Sequence, residues 1–124
     1  MGDVAELQTG YEVPQENGNR MGTRWVSLRD GEGKTGLRAI ASGGDDWSRN
    51  CDREFSFLVT THSVESLQGA AHPCDLVEES ATLVRLDAKV AGVGTGACGP
   101  GVRGDLLVGV EGMRFGFVLE ALGG

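Results

Sequence analysis

Four side chains that could ligate a metal lie near one another in the middle of the chain. They are His62, His72, Cys74 and Asp75. Structural zinc sites ordinarily pair their ligands in short spacings such as C-x2-4-C or H-x3-5-H, and neither spacing occurs here. The pattern therefore does not favour a metal site, and we expect His72 to bond the backbone near the end of a helix.

Groups for nucleophilic or acid–base catalysis are no better arranged. Cys51, Cys74 and Cys98 lie in no nucleophile motif, and the chain contains no G-x-S-x-G elbow. Glu78 and Glu79 are the only adjacent glutamates, and adjacent side chains on a strand point to opposite faces. We interpret the acidic residues as solvated faces and turns, and we predict no catalytic residue and no metal ligand in this chain.

A glycine-rich segment at residues 92–100 reads G-V-G-T-G-A-C-G-P. It lacks the G-K-[ST] ending of a P-loop and the G-x-G-x-x-G spacing of a dinucleotide-binding turn. Pro100 would also block a helix that starts here, unless the proline occupied the first turn. The segment predicts a loop, and we predict no cofactor for this chain.

The charge balance disfavours nucleic acid as a partner. Eleven Lys and Arg residues against eighteen Asp and Glu residues give a net charge of −7 with no basic run.

The sequence gives no sign of membrane insertion or export, since no apolar run approaches the ~18 residues of a membrane span. Residues 1–7 lack the basic and apolar regions of a signal peptide. Three cysteines without C-x-x-C spacing indicate reduced thiols and a cytoplasmic protein.

Period-two alternation of apolar and polar residues is the main signal of secondary structure. It predicts half-buried strands over residues 26–29, 37–41, 55–59, 84–87 and 113–120, separated by glycine-rich or polar turns. One short helix is predicted over residues 64–71, with Ser63 as its N-cap and Val64 and Leu67 on one face. Short strands without long intervening helices are typical of an all-β antiparallel sandwich or barrel.

The most particular segment runs from Tyr11 to Arg24 and reads Y-E-V-P-Q-E-N-G-N-R-M-G-T-R. Its proline biases the preceding residue to an extended conformation. Asn17-Gly18 is the dipeptide best able to take positive φ at both centres of a tight turn. Arg20 and Arg24 are four residues apart and would share one face of an extended chain. The segment therefore predicts a tight turn followed by two arginines on one side.

This segment resembles the P-[QS]-E-N-G-x-R-x-x-x-R signature that opens the small-chain, C-terminal domain (domain 5) of bacterial β-galactosidases, in glycoside hydrolase family 2. Two further segments follow in the same order as in that family. Residues 60–72, T-T-H-S-V-E-S-L-Q-G-A-A-H, resemble its S-x-x-[DE]-L-x-x-A-x-H helix. Residues 92–100 resemble its G-[VIL]-G-[TG]-x-[SA]-C-G-P loop. Three ordered motifs identify the chain, by resemblance, as a small-chain domain.

The resemblance implies a fold and a domain boundary. The fold is an antiparallel β-sandwich with one short helix, forming part of the galactose-mutarotase-like supersandwich. The domain would occupy residues 11–122, which leaves residues 1–10 as an N-terminal extension. Part of a larger sandwich would expose sheet edges, which proteins normally cover. We therefore expect either a homo-oligomer or completion by a separate large chain.

The resemblance also implies a role in glycoside hydrolysis. Family members hydrolyse terminal β-D-galactosides with retention, using two glutamates of a central barrel as acid/base and nucleophile. Those glutamates, and the Mg and Na ions that the family commonly uses, belong to the catalytic domain. In this chain no asparagine precedes a glutamate, as the family's acid/base residue requires. The implied role is carbohydrate contact and structural support for a catalytic barrel or large chain that acts on a β-galactoside sugar.

The candidate site residues come from the same resemblance. Relatives carry a tryptophan within T-W-L-N-I-D as an aromatic platform for the sugar. The corresponding residues 82–87 read T-L-V-R-L-D, so Leu83 takes the place of the tryptophan. Leu83 and His72 are the predicted substrate-binding residues. The predicted structural and interface residues are Glu16, Asn17, Gly18, Arg20, Arg24, Cys98, Gly99 and Pro100.

Two other functions stay open at this point. One is a free-standing, non-catalytic carbohydrate-binding or interaction module, and the other is a mutarotase-like sugar epimerase that uses His62 or His72. Residues 43–47, G-G-D-D-W, echo a family string but fall too early in the chain, so we interpret them as a coincidental loop. Trp25 continues a strand pattern, and we predict that it lies in the core or in an interface.

Overall fold

A computed structural model describes residues 2–42, 53–92, 99–109, 111 and 115–123. These residues form six strands: β1 Arg20–Thr23, β2 Trp25–Arg29, β3 Gly36–Ala41, β4 Phe55–Thr60, β5 Leu83–Asp87 and β6 Phe117–Leu122. They also form one α-helix, α1 Val64–Gly69, and short 3-10 turns at Val4–Leu7, Pro73–Asp75 and Gly104–Leu106. The predicted glycine-rich segments at 43–47 and 93–98 lie outside the described residues.

The strands form two three-stranded antiparallel sheets, with orders β1-β4-β5 and β2-β3-β6. The predicted all-β class with one short helix is therefore confirmed. The chain divides into two compact units: a first unit of Met1–Arg20 and Phe57–Leu86, and a second unit of Met21–Ser56 and Asp87–Gly124. The domain boundary predicted at residue 10 stays a prediction.

Strand β4 is the central strand of its sheet and the most buried element of the described chain. Phe55 and Val59 are its two fully enclosed side chains, and Ser56, Leu58 and Thr60 are buried as well. The strand is confirmed, but the half-buried alternation predicted for it is wrong. Both faces of β4 are covered, and both of its edges are paired, so its polar Ser56 lies inside with its apolar neighbours.

Strand β6 begins four residues later than predicted and is exposed along almost its whole length. It lies at the end of the order β2-β3-β6 and pairs with β3 from Phe117, opposite Ala41, to Leu122, opposite Gly36. The Phe115 ring packs at 5.3 Å from the Phe117 ring just before the strand. The half-buried alternation predicted here is wrong too, because side chains on both faces of β6 are in contact with solvent.

A tight connection joins β2 to β3 and sets their register. The Asp30 carboxylate accepts hydrogen bonds from the Lys34 backbone N–H at 2.8 Å and from the Thr35 backbone N–H at 3.0 Å. It also accepts one from the Thr35 hydroxyl at 2.6 Å. These bonds favour the ionised form and hold the pKa of Asp30 below its ordinary value of 3.8, with the Thr35 hydroxyl bond as the largest cause. Gly33 takes φ of +72° within this connection.

Helix α1 forms where the sequence predicts it. The Ser63 hydroxyl accepts a hydrogen bond from the Ser66 backbone N–H at 3.2 Å, which satisfies one of the unpaired donors of the first turn. The helix ends at Gly69, before the predicted end at residue 71, and Ala70 follows with an extended backbone. The predicted N-cap is confirmed.

The turn predicted at Asn17-Gly18 differs from the structure. Gly18 takes φ of +83°, but Asn17 does not take positive φ, so the two residues do not form a tight turn with positive φ at both centres. The Asn17 side chain instead bonds other parts of the segment. The prediction that Arg20 and Arg24 share a strand face is also wrong. Arg24 lies beyond the end of β1, and Gly22 inside β1 has φ of +65°, which interrupts the regular alternation.

Candidate functional site

A solvent-open cleft of about 410 Å³ lies in the first unit. Its wall is formed by the segment before residue 18, the end of β4, helix α1, the 3-10 turn after α1, and β5. The apolar side chains that line it are Ala5, Tyr11, Pro14, Leu58, Val64, Leu67, Pro73, Leu76, Leu83 and Val84. The polar ones are Gln8, Thr9, Gln15, Glu16, Asn17, Thr60, His62 and Arg85. A mostly apolar cleft with a few convergent polar groups is the usual form of a small-molecule site.

The floor and the rim of the cleft differ in exposure. Leu58 is buried and belongs to the core, so it forms a fixed apolar floor. Leu83 keeps 38% of its surface exposed, and Tyr11 and Val84 are exposed to a similar degree. These three apolar side chains therefore stand at the rim, where a ligand could contact them.

The segment that closes one side of the cleft is irregular and is held by side-chain bonds to the backbone. The Gln8 side-chain amide donates to the Val59 carbonyl at 2.7 Å and ties the segment to β4. The Asn17 side-chain oxygen accepts from the Thr9 backbone N–H at 2.7 Å. A Cβ at Gly18 would stand within 2.7 Å of the Leu7 carbonyl oxygen, so a larger residue does not fit there. The cleft depends on these contacts for its shape.

A bidentate ion pair joins the irregular segment to β5. The two Arg85 amino groups donate to the two Glu16 carboxylate oxygens at 2.6 and 2.7 Å. The hydrogen bond from Arg85 is the largest cause that holds the pKa of Glu16 below its ordinary value of 4.5, and partial burial opposes it. Glu16 therefore stays ionised at neutral pH and can accept hydrogen bonds, but it is poorly suited to donate a proton.

The two histidines have different positions. His62 lines the cleft, its backbone N–H donates to the Thr60 hydroxyl at 3.1 Å, and its ring Nδ1 lies 3.5 Å from the Thr61 hydroxyl. His72 is exposed and does not line the cleft. Its backbone bonds the 3-10 turn that follows, accepting from the Asp75 N–H at 2.9 Å and donating to an Asp75 carboxylate oxygen at 2.9 Å. His62 is thus the histidine placed to contact a ligand in the cleft.

The other predicted site residues are spread over the molecule. Glu16 and Asn17 line the cleft, and Gly18 lies beside it. Arg20 donates to the Leu7 and Gly18 carbonyls at 3.3 and 3.0 Å, so it supports the same segment. Arg24 belongs to the second unit, where its Nε lies 3.7 Å from a Glu54 carboxylate oxygen. Gly99 and Pro100 are exposed, and Cys98 is outside the described residues. Their roles stay predictions.

The sequence alone did not identify two residues that line the cleft, Arg85 and Gln8. Arg85 is two residues beyond Leu83 on β5, and the period of a strand places such residues on one face, so a signal was present. Gln8 gave no signal, because its partner Val59 is 51 residues away in the chain. Long-range bonds of this kind have no local pattern.

The described part of the chain contains neither a cluster of metal-ligating side chains nor a helix that could span a membrane. No three His, Cys, Asp or Glu side chains come together there as the ligands of a metal would. The described part of the chain includes His62, His72, Cys74 and Asp75. None of the described helices has the length and hydropathy needed to cross a bilayer.

Comparison with known proteins relates most of the chain to one family. The family model described as "Beta galactosidase small chain" matches residues 1–119. A β-galactosidase of Arthrobacter sp. (strain B7) is 32% identical over 102 residues, which are 82% of this chain and 9% of that protein. A β-galactosidase of Kluyveromyces lactis is 30% identical over 118 residues, which are 94% of this chain and 10% of that protein. The chain therefore spans about a tenth of the length of these relatives.

Proposed function

Because the chain belongs to the β-galactosidase small chain family, we propose that it is the saccharide-contacting, non-catalytic portion of a β-galactosidase. In this proposal a separate catalytic barrel or large chain supplies the two carboxylates for retaining hydrolysis of terminal β-D-galactosides. The Mg and Na ions common in glycoside hydrolase family 2 would be held by that catalytic portion. We place the assembled enzyme in the cytoplasm, in keeping with the reduced thiols predicted for the chain.

The observation that carries the proposal is the position of Leu83 in the cleft. Leu83, which by the sequence resemblance takes the place of a family tryptophan, is 38% exposed and lines the same cleft as the Glu16–Arg85 pair. One face of a sugar ring is a patch of C–H groups that packs on apolar side chains, and its hydroxyls need polar partners nearby. Leu83 offers the first kind of contact, and Glu16 offers the second.

The chemistry of the polar groups suits binding. An ionised carboxylate has about four lone-pair sites, and the Arg85 bonds to Glu16 use one site on each oxygen. Glu16 can therefore accept a hydroxyl hydrogen bond while it remains paired. Among the described residues that line the cleft, Glu16 is the only carboxylate, whereas retaining hydrolysis needs two carboxylates about 5–5.5 Å apart. In the proposal, hydrolysis is therefore the task of the partner.

A galactosidase assay on reconstituted enzyme tests this role. The Arthrobacter β-galactosidase is prepared without the segment that this chain matches, and o-nitrophenyl β-D-galactoside is supplied to four samples. The samples are the chain alone, the shortened enzyme alone, their mixture, and a chimera in which this chain replaces the missing segment. We expect activity in the mixture or the chimera and none in either part alone.

Two variants of the chimera link the activity to the cleft. Leu83→Ala should raise the KM several-fold with little change in stability, because Leu83 is at the rim. Leu106→Ala is the matched control, since Leu106 is an exposed leucine in the second unit, and it should leave KM unchanged. Hydrolysis by the chain alone, or an equal effect of the two substitutions, would refute the proposed role. If the chimera fails to fold, the role of the cleft is tested by titrating this chain with methyl β-D-galactopyranoside and following the Leu83 methyl signals by NMR.

A further inference from the structure

The sheet β2-β3-β6 in the second unit carries two regular rows of side chains on one face. The strand register aligns the first row across all three strands, and the second row lies two residues further along each strand. The first row is Trp25, Ile40 and Val118, and the second row is Ser27, Arg38 and Glu120. An apolar row thus runs beside a row of hydroxyl, guanidinium and carboxylate groups, about 7 Å away along the strands.

The apolar row is open to solvent. Trp25 keeps 61% of its surface exposed, and Val118 keeps 48%. Trp25 is therefore not in the core, where one reading of the sequence placed it. A large exposed indole presents much apolar surface to water at a cost in hydration, and a ligand that covered it would relieve that cost.

Arg38 connects the two rows. Its guanidinium carbon lies 5.9 Å from the centroid of the Trp25 ring, within the range of a cation–π contact. One of its terminal amino groups lies 3.7 Å from a Glu120 carboxylate oxygen. The Nε of Arg38 is enclosed and has no hydrogen-bond partner among the described residues. Because the Nε is enclosed while the Arg38 side chain as a whole is 39% exposed, a ligand could reach Arg38 only through its terminal amino groups.

We propose that this face is a saccharide-binding platform, on which a pyranose unit of a neutral oligosaccharide stacks on Trp25. The sugar hydroxyls would accept hydrogen bonds from Arg38 and donate them to Glu120, while the Ser27 hydroxyl can do either. Because Arg38 is already held against the indole, little side-chain entropy is lost when the sugar binds. The platform lies in the second unit and shares no residue with the cleft, so it goes beyond the function proposed above.

Charge and polarity favour a neutral sugar over other occupants. The chain has a net charge of −7, and Glu120 lies in the platform, so an anionic glycan or a nucleic acid would be repelled. A dry protein interface over this face would have to enclose the Arg38–Glu120 pair, and the loss of solvation for two charges often exceeds their attraction. A sugar keeps both charges hydrogen-bonded and leaves part of their surface in water.

The first test follows the platform residues in the unmodified full chain. Cellotetraose and β-1,4-linked galactotetraose are titrated separately while amide, indole and arginine side-chain signals are recorded by NMR. We expect saturable shifts of the Trp25 indole N–H and the terminal guanidinium N–H signals of Arg38 with at least one of the two sugars. The absence of such shifts with both sugars, or shifts confined to residues of the cleft, would overturn the proposal.

The second test measures affinity by fluorescence in a Trp47→Phe background, which leaves Trp25 as the only tryptophan. Trp25→Ala, measured by NMR or calorimetry, should weaken sugar binding at least about tenfold, because the stacking surface is lost. Trp25→Tyr should retain most of the affinity, and Leu106→Ala should change nothing because this exposed leucine lies in neither the platform nor the cleft. Unchanged binding by Trp25→Ala would overturn the platform, as would a dimer in which Trp25 is protected.

The two sites can fail independently. If galactotetraose moves the Trp25 and Arg38 signals but not the Leu83 methyl signals, the platform stands and the proposed role of the cleft fails. The reverse pattern leaves the cleft intact and removes the platform.

Discussion

Strands β4 and β6 have the same length and both begin with phenylalanine, but they have opposite environments. Strand β4, F-S-F-L-V-T, is buried at five of its six positions, whereas β6, F-V-L-E-A-L, is exposed at five of six. The strand with more apolar residues is therefore the one in solvent. The difference follows from position, since β4 is central in its sheet and β6 lies at the end of its sheet order.

The comparison teaches that alternation along a strand does not determine which strand forms the core. A central strand is paired on both edges, and when both of its faces are covered even a serine is enclosed. A strand at the end of a sheet order depends on what covers it, and in this chain little of β6 is covered. An apolar strand left exposed is a surface for a ligand or a partner.

The sharpest test of the comparison removes the first phenylalanine of each strand. Phe55→Ala should lower the free energy of unfolding by about 3–5 kcal/mol, because Phe55 is only 1% exposed and its loss leaves a cavity. Phe117→Ala, the matched control, should cost about 1–2 kcal/mol, because Phe117 is already 40% exposed. Urea denaturation monitored by circular dichroism gives both values. Equal losses would show that β4 and β6 do not differ in burial as described.

A smaller loss of folding free energy is expected from a substitution in β3, the strand that pairs with β6. Gly36 pairs with Arg29 on one side and Leu122 on the other, and a Cβ there would collide with the Leu28 carbonyl oxygen. Gly36→Ala should therefore cost about 1–3 kcal/mol as the strands shift apart.

Gly31 provides the control for that substitution, because nothing lies within 4 Å of a Cβ built there. Gly31→Ala should change the free energy of unfolding by no more than about 0.5 kcal/mol. The same denaturation experiment measures both variants, with hydrogen exchange of the β6 amides as a local readout. Equal stability of the two glycine variants would contradict the claim that the close approach of β2 and β3 at Gly36 holds β3 where it pairs with β6.

The smallest loss of folding free energy is expected from breaking the Glu16–Arg85 ion pair, which joins the irregular segment of the cleft wall to β5. The pKa of Glu16 is lowered in the folded chain, chiefly by its hydrogen bond to Arg85, and it returns to its ordinary value on unfolding. The stabilisation is therefore present above the ordinary value of 4.5 and is lost as the pH falls through the folded-state pKa. Glu16→Gln should cost at most about 1 kcal/mol at pH 7, since both side chains are partly exposed.

A pH series of unfolding experiments on the parent chain and Glu16→Gln measures that contribution. The stability difference between the two should be constant near neutral pH and should shrink below pH 4.5. A difference that grows as the solution becomes more acidic would contradict the assigned direction of the pKa change. The double variant Glu16→Gln/Arg85→Met separates the pair's own interaction from other contacts of Arg85.

Much of the fold can be predicted from local sequence patterns. Alternation predicts five of the six described strands, and Ser63 predicts the start of α1. Strand β1 was missed because Arg20–Thr23 contains a glycine and has no apolar alternation. The burial of β4 and the exposure of β6 could not be predicted, because they depend on the order of strands in each sheet.

The cleft is only partly visible in the sequence. The resemblance to the small-chain family led to Leu83 and Glu16, which the structure places together in the cleft wall. It did not lead to Gln8 or Arg85, whose partners Val59 and Glu16 are 51 and 69 residues away. His72 was favoured over His62 by its place in the family motif, yet the 3-10 turn after α1 leaves His72 outside the cleft.

The most direct test of the central claim is a titration of the full chain with methyl β-D-galactopyranoside, observed through leucine methyl and histidine ring signals by NMR. The account predicts weak, saturable shifts of the Leu83 methyls and the His62 ring, with the Leu106 methyls unmoved. If the Leu83 and His62 signals stay fixed up to the solubility limit of the sugar, or if Leu106 moves equally, the cleft of the first unit does not bind galactosides.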